Sequence, residues 1–142
     1  IAKSSLDRFR DLFDASAREQ LGEVELRPVI ATDGELAPED VNPLTVQLLS
    51  QLEPYGRGFE APVFEGRYTV LRVRPISDGQ HLKLWLDVGG EPREAIWFGA
   101  CEPGEQPSVQ VGDRIRLAYY LEMNHWNGRS MLQLRVVHAA PE

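Results

Sequence analysis

The stretch Asp113-Arg-Ile-Arg-Leu-Ala-Tyr-Tyr-Leu-Glu-Met-Asn-His-Trp-Asn-Gly-Arg-Ser-Met-Leu-Gln-Leu-Arg-Val-Val-His138 decides the fold. Asn127-Gly128 is the dipeptide that accepts the two positive φ angles of a type I′ turn, so the stretch reads as one long β-hairpin. Folding about that turn sets Met123 opposite Leu132, Leu121 opposite Leu134 and Tyr119 opposite Val136. Side chains alternate along a strand, so these residues, with Leu117, form a single apolar face. The other face receives Arg116, Tyr120, Glu122, Trp126, Arg129, Gln133 and Arg135. A slip of one residue would mix the two sets. The apolar face then needs further strands to cover it.

Those strands lie upstream. Arg67–Ile76 and His81–Val88 flank a turn at Ser77-Asp78-Gly79-Gln80, and Arg93–Gly99 follows the loop Gly89–Pro92. A turn on Asp78-Gly79 pairs Val73 with Leu84 and Leu71 with Leu86, with Arg74 facing Lys83 and Arg72 facing Trp85 on the opposite side. A loop centred on Glu91 pairs Leu84 with Phe98 and Leu86 with Ile96, and sets Trp85 opposite Trp97. Tyr68 and Val70 share one face of the first strand while Leu71 and Val73 share the other, which implies a bend within it. After the Pro/Gly-rich connection Cys101–Gly112 comes the hairpin. A three-strand meander, a longer connection and a closing hairpin predict a five-stranded OB-fold Greek-key barrel, mainly β within an α+β chain; another small barrel or a sandwich is the alternative.

The chain begins differently. Residues 4–21 predict an amphipathic helix with Leu6, Phe9, Leu12 and Phe13 on one stripe, Ser4 or Ser5 as its cap and Gly22 at its end. Glu23–Ala31 predicts an edge strand turned by Thr32-Asp33-Gly34. Asn42-Pro43 opens a second helix running to Leu52, with Leu44, Leu48, Leu49 and Leu52 on one side. This unit has little apolar surface for a core of its own and reads as the end of a preceding domain. The start at Ile1 likewise reads as a piece of something longer. Glu53–Pro62 is the boundary, and its Tyr55 and Phe59, with Phe64 just beyond, predict a packed rather than a flexible hinge.

Among 142 residues there is no apolar run of the roughly 20 that a membrane span needs. The single Cys101 excludes an intramolecular disulfide and fits a reducing cytoplasm. The net charge of −7 is uneven: residues 1–65 carry all of it, whereas residues 66–141 sum to about +1. His81, His125 and His138 fall on different strands without metal-ligand spacing, and Gly56-Arg57-Gly58 leads into strands, not into a phosphate-binding helix. Neither a catalytic nor a metal-binding residue is singled out.

Strand parity gathers Arg72, Arg74, His81, Lys83, Trp85 and Trp97 on the outer face. Indole rings stack on bases while cations follow phosphates, the chemistry of single-stranded nucleic-acid binding on this barrel's second and third strands. Trp126 and Arg129 stand at the hairpin tip, the position of a second contact. A purely structural role competes: Trp85 and Trp97 as a cross-strand pair, Trp126 and Arg129 as a cation–π pair, or a face covered by the acidic N-terminal part or by a protein partner.

The segments Leu52-Glu-Pro-Tyr-Gly-Arg-Gly-Phe-Glu-Ala-Pro-Val-Phe64, His81-Leu-Lys-Leu84, Val111-Gly-Asp-Arg-Ile-Arg-Leu-Ala-Tyr119 and Asn124-His-Trp-Asn-Gly-Arg129 resemble, in this order and spacing, the C-terminal end of the RecJ family. The resemblance covers essentially the whole chain, departing at Gly58-Phe59-Glu60, where many relatives read Gly-Asn-Pro. It implies the end of a DHHA1 domain over residues 1–53, a hinge over 54–63 and an OB domain over 64–142. It also implies a bacterial, cytoplasmic parent that degrades single-stranded DNA from the 5′ end in recombination and repair. Its Mn²⁺ or Mg²⁺ would be held by an N-terminal DHH domain whose Asp and His motifs these residues lack. No cofactor or catalytic residue therefore carries over to this fragment. The partners implied are single-stranded DNA, contacted through Arg72, Arg74, Lys83, Trp85, Trp97, Trp126 and Arg129, the parent's upstream catalytic domains, and single-stranded-DNA-binding protein. The alternative function is a protein-interaction module that docks the acidic tail of that protein or the parent's own domains.

Overall fold

A computed structural model describes residues 3–22, 29–102 and 104–142. Strands β1 (Phe64–Ile76), β2 (His81–Val88), β3 (Glu91–Trp97), β4 (Arg114–Trp126) and β5 (Arg129–Pro141) close into a barrel in the order β1-β2-β3-β5-β4. Every neighbouring pair is antiparallel except β3 and β5, whose parallel pairing makes the closure. This is the order of an OB fold, and closure leaves no free sheet edge.

The hairpin β4–β5 has the expected register, with Met123 opposite Leu132, Leu121 opposite Leu134 and Tyr119 opposite Val136. Asn127 and Gly128, at φ +49° and +71°, make the turn. Beyond Tyr119 a bulge shifts the pairing, so that Ala118 meets His138 and Leu117 meets Ala139. Of the residues assigned to its outer face, Gln133 is buried rather than exposed, flanked by Glu94 of β3 and Glu122 of β4.

The turn Ser77–Gln80 and the pairs Val73–Leu84, Arg74–Lys83 and Arg72–Trp85 also stand as expected. Leu71 does not pair with Leu86. A bulge between Val70 and Arg72 gives that place to Val70 and leaves Leu71 43% exposed. The extra residue resets the strand's parity, which is the change of face the sequence implied.

The β2–β3 register differs by three residues from the expected one. The turn is made by Gly89-Gly90, at φ +63° and +89°, so Trp85 faces Glu94, Leu84 faces Ala95 and Leu82 faces Trp97. A shift by an odd number moves every side chain of β3 to the opposite face. Trp97 therefore leans against the core, Ile96 is on the outside, and Phe98 is exposed beyond the end of the strand.

The core holds Val70, Leu82, Leu84, Leu86, Ile115, Leu117, Tyr119 and Leu134, all essentially inaccessible. Within it the hydroxyls of Tyr68 and Tyr119 are 2.9 Å apart and satisfy each other. Burial raises the pKa of both phenols. Tyr119→Phe is expected to leave the Tyr68 hydroxyl without a partner and to cost about 1–3 kcal/mol, whereas the double change to Phe removes both polar groups and costs less. Urea denaturation of the single and double variants measures this. Because the folded-state phenol pKa values are raised, stability should also fall as pH climbs above about 10, where unfolded tyrosines ionise.

The N-terminal part contributes α1 (Lys3–Leu21), a 3₁₀ turn (Pro38–Asp40) and α2 (Pro43–Ser50). Gly22 closes α1 at φ +58°, its N–H donating to the Arg18 carbonyl. Ser4 and Ser5 lie inside the first turn, not before it, and Leu6, Phe9, Leu12 and Phe13 are exposed. Of the edge strand expected over Glu23–Ala31, residues 23–28 lie outside the described residues, and 29–31 are not in a strand.

Asn42 caps α2, its side chain accepting from the Thr45 N–H at 3.0 Å, with Pro43 in the first turn. The helix ends at Ser50, short of Leu52, and turns a different side inward from the one expected. Leu49 and Val46 pack on the barrel core, while Leu44, Leu48 and Leu52 are exposed. Val41, just before the cap, is fully buried in the barrel core, with Leu36 against it.

Further ties fix this segment to β1. The Val63 N–H donates to Asp33 Oδ2 at 2.8 Å, Glu35 bridges Glu65, and Arg67 reaches Glu35 at 2.9 Å. Arg116 donates from Nε to Glu65 at 3.0 Å and holds that carboxyl below the usual range. The segment Glu53–Pro62 is packed in part: the Tyr55 hydroxyl donates to the Leu49 carbonyl at 2.7 Å and its ring lies against Phe59, which is otherwise exposed.

Candidate nucleic-acid interface

Cross-strand pairing arranges the outer face of the barrel in two parallel rows. The first runs Arg72, Trp85, Glu94, Gln133, Glu122 across β1, β2, β3, β5 and β4. The second runs Arg74, Lys83, Ile96, Arg135, Tyr120 over the same strands. Successive residues in a row are one strand spacing apart, about 4.8 Å. Ile96 is buried yet separate from the core, its cross-strand neighbours being the long side chains of Lys83 and Arg135.

Trp85 is the aromatic centre. The Arg72 guanidinium lies 4.8 Å and the Lys83 ammonium 5.3 Å from its ring centroid. Lys83 also reaches Glu94 Oε2 at 2.9 Å. The second row repeats the motif at its other end: Arg135 lies 4.4 Å over the Tyr120 ring while its Nε donates to Glu122 at 3.0 Å. Arg72 and Arg74 are exposed and have no carboxylate partner among the described residues.

The structure thus brings Arg72, Arg74, Lys83 and Trp85 together and takes Trp97 away from them. The Trp97 ring meets His138 edge-on at 6.4 Å and is half-buried against the core. The expected Trp85–Trp97 cross-strand pair does not form, because the Gly89-Gly90 turn puts Glu94 opposite Trp85. Trp126 and Arg129 face each other at the hairpin tip, where Trp126 is 73% exposed. They line a shallow hollow with Asn124, Asn127 and Met131, and among the described residues no cation sits over the Trp126 ring. His81 accepts from the Gly99 N–H at 3.0 Å and packs edge-on with Phe98 at 5.3 Å.

Sequence reasoning did not place Glu94, Glu122, Tyr120, Arg135 and Gln133 beside this cluster. A usable signal existed for Glu94, since Gly-Gly is itself a two-residue hairpin dipeptide. For the β5 and β4 residues none did, because only the β3–β5 closure brings them round to β2.

A groove of about 480 Å³ lies at the end of the second row, beneath α2, between Tyr55, Pro62, Tyr120, His125 and Arg135. Among the described residues no three His, Cys, Asp or Glu side chains converge as ligands for a metal ion. No described helix is long and apolar enough to cross a membrane.

Comparison with known proteins matches residues 32–138 to the RecJ OB domain. This chain belongs to that family. Over 136 residues it is 35% identical to the single-stranded-DNA-specific exonuclease RecJ of Haemophilus influenzae, covering 94% of this chain and 23% of that protein. The RecJ of Dickeya dadantii is 31% identical over 143 residues, covering 99% and 24%. The chain therefore spans about a quarter of the length of the RecJ proteins it matches. Thermus thermophilus RecJ in complex with Mn²⁺ superposes with a TM-score of 0.72 at 21% identity, covering 100% of this chain and 20% of that one. This last likeness is one of fold.

Proposed function

We propose that this chain is the strand-holding part of a RecJ-type exonuclease, and that its OB barrel binds single-stranded DNA through the Arg72/Arg74/Lys83/Trp85 face. The observation that carries the reading is the juxtaposition on β1 and β2 of one partly buried indole with three cations, in a chain of the RecJ OB domain family. Trp85 offers a stacking surface once a base replaces the cation upon it, and the displaced guanidinium turns to the phosphate. Trp126 and Arg129 serve as a second contact at the hairpin tip. Trp97 belongs to the reading only indirectly, as a support for β3. Catalysis in 5′-to-3′ degradation during recombination and repair, with its Mn²⁺ or Mg²⁺, is the task of other domains of a bacterial cytoplasmic parent, and the N-terminal residues lead in from its DHHA1 domain.

Fluorescence anisotropy with a labelled single-stranded oligonucleotide tests this. Trp85→Ala is expected to weaken binding by about 1–3 kcal/mol, the scale of one base stack. Replacing Arg72 and Arg74 by Ala should flatten the salt dependence by about 0.7 in log–log slope for each phosphate that is no longer neutralised. An unchanged affinity in folded Trp85→Ala would remove the stacking role.

A second reading is favoured by the exposed leucines Leu44, Leu48 and Leu52 of the α2 region and by Phe9 and Phe13 of α1. These suit a protein-interaction module that docks the parent's own domains. Single-stranded-DNA-binding protein, through its acidic tail, is the other partner for that module. An acidic-tailed peptide titrated beside the oligonucleotide separates the two readings.

A further inference from the structure

We infer that Glu94 and Glu122 are specificity residues, which let the outer face discriminate exposed bases from phosphate backbone in general. The inference rests on the single-strand reading above and concerns the same face. Its starting point is that the cations of the β2–β4 part are already engaged. Lys83 is paired with Glu94 at 2.9 Å and Arg135 with Glu122 at 3.0 Å. Lys83 and Arg72 lie over Trp85, and Arg135 lies over Tyr120. The Lys83–Glu94 pair is largely buried, at 29% and 19% side-chain exposure, so its attraction is less screened than that of a pair in open solvent.

A polyanion that offers only phosphates must displace these carboxylates or lie beside them, and gains little either way. A single strand has more to offer. Its bases are free to take the ring faces of Trp85 and Tyr120, which releases Arg72 and Arg135 toward the phosphates. The edge of a base stacked on Trp85 then falls about one strand spacing away, over Glu94. Lys83 reaches Glu94 at Oε2, and a carboxylate keeps a second oxygen and further lone pairs able to accept. A carboxylate oxygen accepts a hydrogen bond from the amino group of a base, as it does from the cytosine N4 amino group, and repels a phosphate. Gln133, whose side chain is buried between Glu94 and Glu122 in the same row, continues the polar edge. The carboxylates thus oppose every backbone but are compensated only by unpaired bases. Discrimination through a repulsive element placed against the wrong ligand is a general route to specificity.

The test compares the 142-residue chain with its E94Q/E122Q variant, which keeps side-chain size and removes two negative charges. Both are titrated with a mixed-sequence single strand of about 16 nucleotides, the upper end of one OB barrel's site size, and with the duplex of the same sequence. The expected result is that discrimination between single strand and duplex falls about tenfold in the variant, with tighter duplex binding and a steeper salt dependence for the duplex. Unchanged duplex affinity, or equal gains for both ligands, overturns the inference. A Trp85→Ala arm keeps the two readings apart. If wild type binds the single strand and Trp85→Ala does not, while E94Q/E122Q leaves the duplex unchanged, only the specificity role falls. If Trp85→Ala binds the single strand as wild type does, the stacking face falls and the specificity role with it.

Discussion

Val41→Asp is expected to destabilise the chain by more than about 3 kcal/mol, enough to unfold a domain of ordinary stability. Val41 lies before α2, in sequence far from the strands, yet it is fully buried among barrel residues. A carboxylate placed there would meet no cation and no water, and an unpaired charge in an apolar interior is among the costliest of substitutions. Thermal unfolding by circular dichroism should show strand signal and cooperativity disappearing together. A normal melting temperature for the variant would mean that the barrel does not depend on the segment packed into it. The experiment also bears on dissection: a chain beginning at residue 54 would lack Val41, Leu36, Val46 and Leu49, which are packed in or against the core, and is expected to be unstable for the same reason.

Gly66→Ala is the second large effect, at about 3 kcal/mol. The glycine has no positive φ; its requirement is steric. A Cβ at residue 66 would stand 2.4 Å from the Tyr68 hydroxyl oxygen and 2.6 Å from the ring carbon that bears it. Tyr68 cannot swing away, because it is buried and its hydroxyl is bonded to Tyr119. The methyl group therefore either distorts β1 or breaks the Tyr68–Tyr119 hydrogen bond. The two positions should be strongly coupled: in a Tyr68→Ala background the added methyl has room, and the further loss of stability from Gly66→Ala should nearly vanish. Additive losses in a double-mutant cycle would show that the clash is relieved elsewhere.

The parts of the fold that could be read from the chain were those set by local rules. Asn127-Gly128 and Ser77–Gln80 fix their hairpins because turn geometry and side-chain parity act on neighbouring residues, and each register so derived is found next to its turn in the barrel. The failure at β2–β3 had a local cause as well. Placing the loop around Glu91 instead of at Gly89-Gly90 moved the register by three residues, and the alternation of faces turned that into an inverted strand. A loop centred on Glu91 puts Trp97 on the face where Ile96 stands. The bulge at Leu71 shows the reverse case: the change of face was legible from Tyr68, Val70, Leu71 and Val73, but not which residue would be extruded.

The candidate site divides along the same line. Arg72 opposite Trp85 and Arg74 opposite Lys83 follow from one turn and from alternation, and the sequence alone determines that these side chains share a face. It also determines the barrel class, through the order and lengths of its apolar strands. The tertiary structure alone decides what surrounds that face. The parallel β3–β5 pairing sets Ala95 beside Leu134, far along the chain, and no local propensity encodes such a contact; it forms because closing the barrel buries both apolar faces at once. That closure sets Glu94, Gln133 and Glu122 in line with Trp85, and Arg135 and Tyr120 in line with Lys83. Burial of Val41 in the core has the same origin, since an apolar side chain in a short connecting segment carries no periodicity to show where it will pack.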